Sequence, residues 1–259
     1  MGHTKPVTDL LFYRESHTLI SSSLDKTIKI WDIDSGALLK TLKKHEDAVF
    51  SLVLLNDLYV FCSSAGDKTL QFWDIETYEP KMVYKIDTKI CKMIYINTED
   101  SKYSLVCGCK GGFLYWMMNV ETLKLELKKK IKAHNSGINQ LFYVKSNKTL
   151  LSCANDKSIK IWDIGTKDLA KEIIINEDII IPQICYDIYN DIIVCGSSDG
   201  FVRIIKIKDY KVCKEFKEEL NDFGAVQWVN EKSFLLISGK QKQKNNNQTI
   251  CFMKARQFI

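Results

Sequence analysis

Short alternating runs of apolar and polar residues recur along the chain. TIKIW from Thr27 and TLQFW from Thr69 place an apolar side chain at every second position. That period of two marks a half-buried β-strand. Before each run lies a stretch of small and apolar residues, as in TLISSSLD, VFCSSAGD and LLSCANDK. Two such strands joined by a tight turn form a hairpin. Further upstream, Val7, Val49 and Ile138 open another run, followed at alternate sites by Leu10 and Phe12, Leu52 and Leu54, and Leu141 and Tyr143. A fourth run follows the hairpin, as in ALLKTLK at 37–43. The pattern predicts an all-β chain built of four-stranded units.

The units repeat in detail. DKTIKIWDID at 25–34, DKTLQFWDIE at 67–76 and DKSIKIWDIG at 156–165 are nearly one phrase. Asp25, Asp67 and Asp156 each precede a tryptophan by six residues, and His3, His45 and His134 each lie 22 residues before their aspartate. Two weaker copies align at 106–122 and 194–207. In the first, Gly112 stands at the aspartate position and Met118 at the tryptophan position; in the second, Asp199 and Ile205 do. On that alignment the tryptophan-type positions are separated by 42, 45, 44 and 43 residues. A partial copy runs from Asp222, with AVQWV, FLLIS, a polar hairpin GKQKQKNNNQ and then TICFMK. The third unit carries an insertion, NTEDSKYS at 97–104, between its first two strands.

A period of about 40–45 residues, four strands per unit and a Trp-Asp ending resemble the WD40 repeat of β-propellers. The resemblance covers nearly the whole chain, with three close units, two degenerate and one partial. It implies a WD40-type β-propeller of about six four-stranded blades with the last incomplete. Residues 1–259 would form one domain, with repeats at approximately 2–44, 45–85, 86–132, 133–176, 177–220 and 221–259. Gly-His is intact only at Gly2-His3, since Lys44 and Ala133 replace the glycine elsewhere. No strand precedes Gly2, and ARQFI leaves little for a fourth strand in the last unit. The expectation is a final edge open to a partner strand, against a chain that closes less neatly or a piece of a longer protein.

The resemblance also implies residue roles. A hydrogen-bonded structural tetrad is expected in three blades: His3, Ser21, Asp25 and Trp31; His45, Ser63, Asp67 and Trp73; His134, Ser152, Asp156 and Trp162. On the face where such domains bind peptides, the expected partner-binding positions are Thr8, Phe50, Cys91, Asn139 and Pro182. Phe50 either anchors a peptide side chain or packs on a neighbouring loop. None of the WD phrases has arginine two residues after its aspartate, which removes a short motif that docks ubiquitin-ligase adaptors.

Composition narrows the function further. The 259 residues are 46% hydrophobic and 27% charged, enough for a sizeable core. No long apolar run suggests a membrane span, and MGHTKPVTDLL lacks the layout of a signal peptide. Pro6 occupies the position where an N-myristoylation motif needs Ser or Thr. The nine cysteines fit reduced thiols of a chain that is not secreted, in the cytoplasm first and the nucleus second. Cys107 and Cys109 lack a second pair at zinc-ligand spacing, so Cys62, Cys107, Cys153 and Cys195 read as small buried strand residues, and no metal or other cofactor is expected.

The net charge of +5 is mild, with lysine runs at 128–132 and 240–244. P-loop, dinucleotide-binding, HExxH and GxSxG motifs are missing, and of the four histidines only His17 lies outside the tetrads. Three identical His–Ser–Asp sets point to structure rather than to one reaction centre. The expected function is therefore a non-catalytic protein–protein interaction scaffold or complex subunit with protein partners, one of them completing the last blade. An RNA-associated subunit using lysine-rich loops is the alternative among binding modules. An enzyme with a central-channel site is the alternative from another class.

Overall fold

The computed structural model describes residues 2–98, 101–118, 124–174, 183–187, 191–217, 220–229, 234–241 and 248–254. These residues contain no α-helix, and the chain divides into two compact units, Met1–Lys132 and Ala133–Ile259. The first unit holds three antiparallel four-stranded sheets in simple meander order. Sheet 1 is β1 (Val7–Tyr13), β2 (Thr18–Ser23), β3 (Ile28–Asp32) and β4 (Leu38–Leu42). Sheet 2 is β5 (Val49–Leu55), β6 (Val60–Ala65), β7 (Thr69–Asp74) and β8 (Pro80–Lys85). Sheet 3 is β9 (Ile90–Thr98), β10 (Ser101–Cys109), β11 (Phe113–Met118) and β12 (Glu126–Lys132).

The second unit continues the pattern. Sheet 4 is β13 (Ile138–Val144), β14 (Thr149–Ala154), β15 (Ser158–Asp163) and β16 (Leu169–Ile174), and sheet 5 is β17 (Gln183–Asp187), β18 (Ile192–Gly196), β19 (Phe201–Lys206) and β20 (Lys211–Lys217). Sheet 6 has three strands, β21 (Leu220–Val229), β22 (Phe234–Gln241) and β23 (Gln248–Lys254). Five four-stranded antiparallel sheets in meander order match the blades of a WD40-type β-propeller.

Each sheet is too thin to bury its apolar face alone, so neighbours share a core. Between sheets 1 and 2, Ile20, Ile28 and Ile30 meet Phe61 and Trp73, whose rings stack at 6.0 Å and 12°. Between sheets 2 and 3, Leu70 and Phe72 meet Cys107 and Tyr115. In the second unit, Leu151, Ile159 and Ile161 pack with Ile184, Ile193 and Ile205. Fully burying one such side chain contributes about 1.5–3 kcal/mol.

The hairpin turns fix how the units align. Lys26, Lys68, Gly112, Lys157 and Gly200 all have positive φ, and each donates its N–H to the carbonyl three residues earlier. The left-handed residue therefore follows the aspartate, and in the third sheet it is Gly112. The aspartate position there is Gly111, one residue before the Gly112 expected. Pairing of β10 with β11 sets Leu105 opposite Met117, as Phe61 lies opposite Trp73. Met117 thus holds the tryptophan place expected for Met118. The sequence alignment without gaps missed this because the backbone conformation at Gly112, rather than residue similarity, decides it.

Two further expectations change. The described part of NTEDSKYS lies in the strands, where Asn97 and Thr98 end β9 and residues 101–104 open β10, each strand nine residues long. The lysine run at 128–132 lies within β12, not in a loop. Lys129 and Ile131 are half-buried while Lys128, Lys130 and Lys132 are exposed, the alternation of a strand. Of the second run, Lys240 and Gln241 end β22 and the remainder lies outside the described residues.

Candidate interaction surface

Three sheets carry the same hydrogen-bonded chain. In sheet 2, Trp73 Nε1–H donates to Ser63 Oγ at 2.9 Å, and Ser63 Oγ lies 2.7 Å from His45 Nε2. His45 Nδ1 lies 2.8 Å from Asp67 Oδ2. Sheet 1 repeats this with Trp31, Ser21, His3 and Asp25 at 2.8, 2.8 and 2.9 Å. Sheet 4 repeats it with Trp162, Ser152, His134 and Asp156 at 2.9, 2.7 and 3.0 Å. Within each Trp–Ser–His–Asp chain one assignment satisfies all three bonds: a neutral imidazole that donates from Nδ1 and accepts the serine proton at Nε2.

The order Asp, His, Ser is that of a hydrolase triad, and the environment makes it something else. A nucleophilic serine needs a free lone pair and access to substrate. Ser63 and Ser152 are fully buried, and each hydroxyl already accepts an indole N–H. Burial pushes His45 and His134 below the ordinary histidine range, against the pull of Asp67 and Asp156. Burial opposes ionisation of Asp67, but hydrogen bonds from Thr69, His45 and the Glu46 N–H outweigh it and hold the carboxyl low. The sets lock register and satisfy buried polar groups.

The two degenerate sheets solve the same problem differently. In sheet 5, Arg203 stands opposite Cys195 and binds Ser197, Asp199 and Glu215 through its guanidinium. In sheet 3, Asp87 accepts from Tyr115 Oη at 2.8 Å and from Lys130 Nζ at 2.9 Å. Lys130 also sits 5.1 Å above the Phe113 ring, and Lys132 sits 4.8 Å above it.

In each unit taken by itself, candidate contacts for a partner lie on the strand that opens each sheet. In β1, Val7 faces Ser23 and Asp9 faces Ser22, so Thr8 is an extra residue with no partner in the ladder. The same bulge isolates Phe50 in β5, Cys91 in β9 and Asn139 in β13. A bulge re-aims a side chain and ends local pairing. All four are half-buried. Thr8 Oγ1 donates to the Val49 carbonyl at 2.6 Å, and Asn139 Nδ2 donates to Asn155 Oδ1 at 2.7 Å. Burial raises the Cys91 thiol above its usual value. Pro182 lies outside the described residues.

Sequence reasoning missed Asp9, the residue after the first bulge. Its carboxylate accepts from Ser51 Oγ and the Leu52 N–H, each at 3.0 Å, and from Lys92 Nζ at 3.0 Å. Asp9, Ser51 and Lys92 thus tie sheets 1, 2 and 3 together beside Thr8, Phe50 and Cys91. The available signal was an acid, a hydroxyl and a base at one repeat position. Among the described residues no group of His, Cys, Asp and Glu is arranged to hold a metal, and no helix is long and apolar enough to cross a membrane.

The family model for the WD domain, G-beta repeat, matches this chain at residues 1–32, 36–74 and 125–163. The COMPASS component SWD3 of Saccharomyces cerevisiae is 48% identical over 52 residues, 20% of this chain and 16% of that protein. The Lissencephaly-1 homolog of Caenorhabditis briggsae is 44% identical over 54 residues, 21% of this chain and 14% of that protein. The serine-threonine kinase receptor-associated protein of Rattus norvegicus is 26% identical over 248 residues, 92% of this chain and 66% of that protein. The chain thus spans less than two thirds of the length of each of these relatives.

Proposed function

From the premise that the chain is a WD-repeat protein, with repeats matched in three places, we propose that it works as a non-catalytic scaffold or subunit of a multiprotein complex. The partners are proteins, docked as extended peptides or loops against the bulged opening strands of the sheets within a unit. The observation that carries this reading is the bulge that frees Thr8, Phe50, Cys91 and Asn139 from their ladders. Phe50 offers the aromatic anchor on which such contacts concentrate. One relative is named as a component of a complex and another as receptor-associated, which fits the same role. Burial of the serines argues against turnover at the tetrads. The RNA reading has less behind it, because Lys130 and Lys132 are engaged with Asp87, Phe113 and the Gly111 carbonyl. The eight described free cysteines fit a reducing compartment, so we assign the chain to the cytoplasm or the nucleus.

The test is co-purification of the tagged chain from its native extract, with proteins counted by stoichiometry. A stoichiometric protein that is lost on Phe50→Asp, in a variant with an unchanged melting profile, supports the reading. Retention of that protein in the variant, or recovery of nuclease-sensitive RNA alone, overturns it.

A further inference from the structure

One position varies between sheets in a way that opens a cavity. The residue opposite the tetrad serine is Lys29 in sheet 1, Gln71 in sheet 2 and Lys160 in sheet 4. Lys29 Nζ reaches Thr41 on the outer strand, and Lys160 Nζ reaches Glu172, each its cross-strand neighbour. In sheet 2 the pair is Gln71 and Val83, shorter and uncharged. A hollow of about 510 Å³ remains where a long cation and its partner lie in the other two sheets.

The polar groups around this hollow are unevenly spent. Asp67 lines it, but its two oxygens already accept from His45, Thr69 and the N–H groups of Glu46 and Thr69. The carboxylate has no capacity left for an incoming cation. Lys44, Lys68 and Lys85 also line the hollow, and none of their ammonium groups has a hydrogen-bond or ion-pair partner among the described residues. The Glu46 carboxylate is the one other uncommitted charge there. Three lysine ammoniums against the Glu46 and Asp67 carboxylates leave the lining net positive, which favours an anionic ligand. Gln71 is 5% exposed, and its amide sits between the Lys44 carbonyl at 3.4 Å and His45 Nδ1 at 3.3 Å.

We propose that this hollow binds a phosphomonoester, with Lys44, Lys68 and Lys85 as the cationic wall. A phosphoserine or phosphothreonine residue supplies the dianion on a peptide, and a free small phosphate supplies the same dianion alone. The proposal stands apart from the bulged-strand surface and survives its failure.

The experiment is calorimetric titration of the full chain with a phosphoserine peptide, with the same peptide unphosphorylated, and with inorganic phosphate. The expected result is saturable binding that needs the phosphoryl group. It should weaken by about tenfold or more when two charge-assisted contacts are removed in Lys44→Gln/Lys85→Gln. Lys68→Gln, at an exposed turn, should weaken binding in the same direction while leaving the melting temperature intact, even if the double variant fails to fold. Tighter binding of the peptide than of phosphate identifies a modified partner as the source; equal binding identifies a small phosphate. No binding by the folded chain, equal binding of the unphosphorylated peptide, or unchanged binding in Lys68→Gln overturns the proposal.

Discussion

Sheets 2 and 3 lie side by side in one unit and share strand order and hairpin register, yet only sheet 2 carries the tetrad. Where sheet 2 has Ser63, Asp67 and Trp73, sheet 3 has Cys107, Gly111 and Met117. Both hairpins close through the same left-handed residue, Lys68 in one and Gly112 in the other. The blade therefore forms from strand alternation and turn geometry. The tetrad is a stabilising addition to it, because sheet 3 replaces its buried hydroxyl, carboxylate and indole with groups that need no buried hydrogen bonds. In exchange, sheet 3 carries the Asp87–Lys130 pair at its surface, tied to the hydroxyl of the buried Tyr115.

The comparison breaks most visibly at Trp73. It is 1% exposed, stacks on Phe61 and donates to Ser63. Trp73→Ala should cost about 3–5 kcal/mol, from cavity formation and a lost donor together. Denaturant unfolding followed by circular dichroism reads this directly. Trp73→Met installs the side chain found in sheet 3 and should recover part of the loss. If Trp73→Ala cost less than Met117→Ala, the tetrad sheet would not be the more tightly specified of the two.

A smaller effect is expected at Asp67. Asp67→Ala removes the acceptor of His45 Nδ1, Thr69 and the Glu46 N–H, for about 1–3 kcal/mol at neutral pH. The pH dependence has a definite sign. His45 and His134 titrate below the usual 6.5 in the folded chain. As pH falls through that value the unfolded chain takes up protons first and gains. Asp25, Asp67 and Asp156 titrate below the usual 3.8 when folded, so their contribution is complete above that value and is lost as pH falls below it. Stability should therefore decline in two steps on acidification. In Asp67→Ala the lower step shrinks and the step near 6.5 remains. A stability curve flat from pH 7 to 4 would remove the titrating tetrads from this account.

Much of this was legible in the sequence, and the gaps have physical causes. Alternation and the sixfold repeat give sheets and meander order, because side-chain period and tight turns are local properties. The tetrad residues were readable because three units spell them alike. The third unit misled by one residue, since the decisive feature was the positive φ at Gly112, which a glycine pair at 111–112 leaves ambiguous. Asp9 was missed because it acts between sheets, on Ser51 and Lys92, and no single repeat contains the reason for it. The lysine run of β12 looked like a solvated loop because its charge hides the half-buried Lys129 and Ile131. The bulges at Thr8, Phe50, Cys91 and Asn139 depend on register, which composition does not encode.

The smallest effect is expected where sheet 3 departs furthest. Asp87 lowers its own carboxyl pKa through hydrogen bonds from Lys130 and Tyr115, and Lys130 is raised in turn by Tyr115 and Asp87. The side chains of Lys130 and Asp87 are 39% and 63% exposed, so solvent screens most of that coupling. Asp87→Asn keeps the shape and an acceptor for Tyr115 while removing the charge. It should leave the melting temperature within experimental scatter, and added salt should not widen the difference. A loss comparable to that of Asp67→Ala would mean that sheet 3 has rebuilt the tetrad's role at its surface. The two sheets would then differ in the chemistry of one necessary lock, and the view that a blade stands on strand pairing and turn geometry would have to be given up.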